Sequence, residues 1–117
     1  MDKVIKFIVQ FEQQLRVFHW QTRLYPRHMA YGATYDALGD LIDSFVESYM
    51  GKYGRISMDS IQLVNMSSES DIEQHITAFI KVMDACQMMC KNDPDLLNIR
   101  DEMLAQATKL KYLITLD

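Results

Sequence analysis

The sequence predicts an all-α protein, an antiparallel four-helix bundle with a long middle connection between helices two and three. Three observations carry this prediction. Apolar residues recur at spacings of three and four through most of the chain, and no stretch alternates with period two. Tyr25-Pro26, Gly51 with Gly54, and Asp93-Pro94 punctuate the periodic segments. The resulting connections are short, long and short, which folds neighbouring helices back on each other. With 117 residues, no repeats and no shift in composition, residues 1–117 read as one domain.

The first helix runs from about Asp2 to Arg23. Val4, Ile8, Phe11, Leu15 and Phe18 form a seam along one face. At 100° per residue, His19 lies at the edge of that seam on the side of Glu12, and Trp20 lies further round. A bend at Leu24-Tyr25 follows, and Pro26 suits the first turn of the next helix. The second helix runs from about Pro26 to Met50, with Tyr31, Tyr35, Leu38, Ile42, Phe45 and Tyr49 on its apolar face. Gly51 and Gly54 are expected to end it. The connection from Tyr53 to Glu69 is long for a compact domain and is expected to hold a short helical or extended piece around Ile61–Val64. Ser70 and Glu73 have the spacing of a capping box for helix three, whose apolar face is Ile72, Ile76, Phe79, Ile80, Met83 and Cys86. Asp93 caps helix four and Pro94 opens it. Leu96, Ile99, Met103, Ala107, Leu110 and Ile114 are its seam.

Composition narrows the function classes. The chain is 49% hydrophobic and 24% charged, the balance of a globular rather than a disordered protein. A net charge of −4 and the lack of a basic tail argue against nucleic acid as a partner. No apolar run approaches the roughly 20 residues of a membrane span, and the N-terminal residues have no signal-peptide pattern. Cys86 and Cys90 sit on consecutive turns of one helix, where a bridge has poor geometry and constrains little. Free thiols and a cytoplasmic location are therefore expected. The nine methionines read as flexible core filler. His75 reads as a surface or capping residue.

The chemistry concentrates between His19 and Glu47. Asp36, Asp40, Asp43 and Glu47 repeat at four, three and four, within an arc of roughly 60° nearly opposite the apolar face of helix two. Carboxylates opposite an apolar face are commonly a solvated surface. Here, however, no basic residue lies between Arg27 and Lys52 to offset their repulsion. A divalent cation would offset it. Gly32, Gly39 and Ser44, on or beside this face, leave room for another helix to approach. His19 and His28 flank the bend, so the fold-back can bring the two rings together. Each taken alone is more often a packed residue than a ligand.

One chain cannot join these histidines and carboxylates at one ion. Asp43 is 15 residues beyond His28, roughly 22 Å along a helix. Pairing helix two antiparallel with its copy, about an axis near residues 35–37, would set His28 of one chain opposite Asp43 and Glu47 of the other. Two equivalent sites per homodimer would result.

His19-Trp20, then His28, then Asp43 and Glu47 four residues apart, resembles the ligand motif of the miniferritins, the Dps-type proteins with a ferritin-like bundle. In that family an inter-subunit ferroxidase site takes its histidines from one subunit and its carboxylates from the two-fold partner. The resemblance implies iron, or another divalent metal, bound by His19, His28, Asp43 and Glu47. Asp40 would be an acid beside the site and Trp20 a redox-active neighbour. Fe(II) would be oxidised by peroxide or dioxygen in a homodimer or larger homo-oligomer. The stretch from Ile42 to Glu47 with Gly51-Lys52-Tyr53-Gly54-Arg55 also resembles small ferritin-like proteins of phages and large DNA viruses, which are closer in length. The chain departs from miniferritins in its short length, its reduced middle connection, its missing basic tail and a shorter spacing from His19 to His28. The Glu-x-x-His pair of carboxylate-rich di-iron bundles is absent. A second function stays open: a non-enzymatic helical module for dimerisation and protein interaction, with a structural or vestigial metal site. Its contacts would come from the Tyr53–Glu69 connection and surface methionines.

Overall fold

A computed structural model describes residues 1–117 and contains four α-helices and no strand: α1 Asp2–Gln21, α2 Tyr25–Tyr53, α3 Asp71–Cys90 and α4 Pro94–Leu113. α1 packs on α2 and α3, and α4 packs on the same two helices, so the order around the bundle is α1, α2, α4, α3. The bend between α1 and α2 spans only Thr22–Leu24, with Thr22 extended and Pro26 in the first turn of α2. That forces α2 back along α1.

The connection after α2 contains no helix. It forms a strap running along α1 in the direction of α1. The Ser57 amide donates to Asp2, the Gln62 amide to Gln10, the Val64 amide to Gln14 and the Met66 amide to Gln21. The strap therefore returns the chain to the end of the bundle where α1 finishes. α3 then runs parallel to α2, and α4 runs antiparallel to α3. Glu69 fastens this end: its carboxylate accepts from the Thr22 hydroxyl at 2.5 Å and the Arg23 amide at 3.0 Å, and Arg27 donates to its carbonyl.

The core comes largely from the predicted seams, with Ile5 buried in place of Val4 and Cys90 added at the end of α3: Ile5, Ile8, Phe11, Leu15 and Phe18 of α1, Tyr31, Leu38, Ile42 and Phe45 of α2, Ile72, Ile76, Phe79, Met83, Cys86 and Cys90 of α3, with Leu96, Met103, Ala107 and Leu110 of α4. Phe11 stacks on Phe79 with centroids 4.3 Å apart, locking α1 to α3.

Several local expectations are corrected. α2 continues through Gly51 and stops at Gly54, whose φ of 91° is a conformation only glycine adopts freely. The capping box does not form. Ser70 is itself in helical conformation, and Asp71 instead accepts from the Ser67 and Ser68 amides and the Ser67 hydroxyl. Asp93 stands at the N-cap of α4, but its carboxylate is occupied by Lys52 at 3.0 Å and Tyr53 at 2.6 Å. Those bonds tie the end of α2 to the α3–α4 turn. The buried stripe of α4 runs through Arg100 rather than Ile99. The methionines divide: Met83 and Met103 fill the core, whereas Met29, Met58, Met88 and Met89 are exposed.

His75 is half-buried rather than a surface or capping residue. Its ring meets the Phe18 ring edge-on, with centroids 5.2 Å apart. Burial pushes its imidazole below the ordinary pKa, and Asp71 only partly counters this. The unfolded chain therefore binds a proton on His75 that the native state resists. This contribution leaves stability intact above about pH 6.5 and lowers it as pH falls from there toward the depressed native pKa. His75→Phe is expected to flatten urea-measured stability over that window; an unchanged slope would exclude His75 as its source.

Candidate functional site: a stacked histidine pair at the α1–α2 bend

The last turn of α1 and the first turn of α2 bring His19 and His28 face to face. Their ring centroids are 3.8 Å apart and the planes are within 15° of parallel. Nδ1 of His19 lies 2.6 Å from the carbonyl of His28, and Nδ1 of His28 lies 2.8 Å from the carbonyl of His19. A carbonyl only accepts, so both Nδ1 atoms carry the proton and donate. In the neutral rings both Nε2 atoms then keep a lone pair, which is the tautomer a metal ligand needs.

Each local bond has a structural cause. The carbonyl of His19 is at a helix C-terminus, where carbonyls lack intrahelical donors. The Arg23 amide, a natural donor there, is taken by Glu69. His28 fills that gap. The site also depends on Gly32: a Cβ at that position would lie 3.0 Å from Cε1 and 3.2 Å from Nδ1 of His19. At Gly39 an added Cβ would make only an ordinary contact, 3.8 Å from Oε1 of Glu12. Gly32 thus accommodates α1 of the same chain.

Aromatic rings extend the pair on both sides. Tyr25 stacks toward His28 with centroids 6.2 Å apart, and Tyr35 meets His19 edge-on at 5.4 Å. The guanidinium of Arg16 lies over the Tyr35 ring, 4.4 Å from its centroid. Trp20 is beside the pair in sequence but points outward, 66% exposed.

Asp36, Asp40, Asp43 and Glu47 are all exposed along α2, and none is in a salt bridge. Within one chain, no three His, Cys, Asp or Glu side chains converge on a possible ion position. The fold thus unites the two histidines and leaves the carboxylates further along the same helix.

The two cysteines form no competing centre of reactivity. Both are free and buried, with their sulfurs 3.8 Å apart. Burial, first among the causes, pushes the Cys86 thiol up to about 12, and Cys90 moves in the same direction. Neither is a thiolate near neutral pH.

The fold and site define a class: a compact all-helical bundle presenting a stacked histidine pair at one end and an uncompensated line of carboxylates along one helix. The chain belongs to the family of unknown function DUF5856, whose profile matches residues 19–114. That span includes His19, His28, Asp40, Asp43 and Glu47. The chain is also similar to a protein of Enterobacteria phage T4 described as an uncharacterized 14.6 kDa protein in the mobD-ri intergenic region. The two are 26% identical over 117 residues, covering 99% of this chain and 88% of the phage protein. No solved structure matches. The relationship to a phage protein agrees with the phage aspect of the second resemblance seen in the sequence; the ferritin-like and miniferritin resemblances rest on the sequence motifs alone. No helix is long and apolar enough to cross a membrane.

Proposed function

We propose that the protein binds and oxidises Fe(II) at a site shared between two copies of the chain. His19 and His28 supply imidazole nitrogens, and Asp43 and Glu47 of a two-fold partner supply carboxylate oxygens. The single observation that supports this best is the mutual Nδ1-to-carbonyl bonding of the two histidines, which holds both Nε2 lone pairs available. Metal-ligating histidines commonly donate their other nitrogen to a carbonyl in this way. The mixed nitrogen and oxygen donor set suits Fe(II) as substrate. Asp40, one turn before Asp43, adds negative charge that draws a cation toward the site, and Trp20, next to His19 in sequence, is a redox-active neighbour. With peroxide as oxidant, two Fe(II) each lose one electron. One peroxide takes both electrons and two protons and leaves as two waters.

The decisive variant is Asp43→Ala with Glu47→Ala. Both residues are exposed and unpaired, so the fold should be retained. Anaerobic Fe(II) titration, with mass in solution recorded alongside, should show saturable binding near two sites per dimer. Peroxide should then oxidise the iron rapidly. The double variant should lose both properties. Unchanged oxidation in that variant, or equal binding by a monomer, would refute the shared site.

A second reading has its own support. Trp20, Leu24, Tyr25 and Met29 are 45–71% exposed around the bend. Aromatic and methionine side chains grouped in this way suit a protein interface. On this reading the protein is a non-enzymatic interaction module and the histidine pair is a clamp between α1 and α2.

A further inference from the structure

The strap of residues 54–70 is held to α1 in a way that exposes a second recognition surface. Gln14 donates from Nε2 to the carbonyl of Val64 at 2.8 Å and accepts from the Val64 amide at 2.9 Å. Its side-chain amide exchanges both bonds with one residue, as an opposing residue does in an antiparallel β-pair. The amides of Gln62 and Met66 turn the same way, toward Gln10 and Gln21. The strap is thus a β-strand in hydrogen-bonding terms, with side chains of α1 in place of a neighbouring strand.

Alternation then decides the other edge. Residues 62, 64 and 66 point their amides at α1, so the amides and carbonyls of Ile61, Leu63 and Asn65 point away. None of these three residues makes a backbone hydrogen bond. Natural proteins protect such an edge with lysine, proline, a bulge or a covering element. From Ser60 to Ser68 this chain has no charged residue, no proline and no glycine. Leu63 and Val64 are 44% and 52% exposed. The edge is also preordered, since the glutamines already hold it extended.

We infer that the outer edge of residues 61–65 pairs with the same edge of a second copy of this chain, antiparallel about Leu63. The edge is self-complementary: Ile61, Leu63 and Asn65 would exchange amide and carbonyl bonds with the partner's Asn65, Leu63 and Ile61. Because the run between Asp59 and Glu69 is uncharged, a two-fold pairing opposes no like charges. It also uses the free edge of both chains and so closes without a filament. This interface is separate from the acidic face of α2 and stands whether or not the iron site forms.

The test is amide hydrogen exchange by NMR across a range of protein concentrations, with mass measured by sedimentation. In the associated protein, the amides of Ile61, Leu63 and Asn65 should exchange at least tenfold more slowly than in dilute monomer. Val64, bonded to Gln14, should be protected at both concentrations. Leu63→Pro removes the central outward amide and should weaken self-association at least tenfold with helicity unchanged. Leu63→Lys, which opposes two charges at the axis, should do the same without altering the backbone. A protein that stays monomeric, one that associates with those three amides unprotected, or variants that associate like the parent would each overturn the inference.

Discussion

Gly32→Ala should sharply lower Fe(II) affinity while leaving a folded helical protein. Two effects oppose each other. Within a helix, alanine is favoured over glycine by about 0.8–1 kcal/mol. Against this, the new Cβ would lie 3.0 Å from Cε1 of His19, on a ring that His28 already stacks from 3.8 Å away. The ring must give by a few tenths of an ångström, which disturbs its stacking and its 2.6 Å bond to the carbonyl of His28. Overpacking of this kind costs about 1–3 kcal/mol. Net destabilisation should therefore be small, about 0–2 kcal/mol. The ligand geometry has no such compensation, and iron affinity should fall at least a hundredfold. Thermal melting and anaerobic Fe(II) titration on the same sample read the two effects separately. Retained affinity would show that the stacked arrangement is not the binding form.

The second large effect is on stability. Arg100 is 5% exposed in the interior stripe of α4, between Leu96 and Met103. Its Nε donates to the carbonyl of Met83 at 2.9 Å, and its guanidinium reaches Asp101 at 2.7 Å and Asp84 at 3.6 Å. Both acids are more than half exposed, so removing the arginine leaves no buried charge behind. The loss comes instead from the buried stem and the bond that joins α4 to α3. Arg100→Ala should cost about 2–4 kcal/mol in urea unfolding, mostly by creating a cavity. Arg100→Met restores the stem and should cost about half as much. Equal losses in the two variants would assign the effect to the guanidinium alone.

Arg100 also shows where sequence periodicity misleads. A stripe of spacing four, three, four, three passes through Leu96, Arg100, Met103, Ala107 and Leu110. Choosing Ile99 because it is apolar shifts one position of the face. The arginine is tolerated because its polar end reaches a carbonyl and two carboxylates on or beyond the rim of the core. Gln14 is similar: it is buried on a helix otherwise read by its apolar seam, and its partner is 50 residues away. No local pattern announces a side-chain amide that substitutes for a strand.

The candidate site was legible in part. His19, His28 and the acidic line of α2 stand out as residue types at spacings, because a helix of fixed pitch converts spacing into direction. The separation of His28 from Asp43 likewise follows from helix rise alone. The role of Gly32 was not legible as it stands, since a small residue on a helix does not say which neighbour it admits.

Sequence patterns specify the local architecture: four amphipathic helices, their punctuation at Pro26, Gly54 and Pro94, and the chemical kind of donors near the bend. These depend on residues within a turn or two of one another. The tertiary structure alone decided three things: the stacking of His19 on His28, the straightening of the strap against the glutamines of α1, and the entry of Arg100 into the core. Each is a contact between segments whose relative placement depends on how all four apolar faces are buried together.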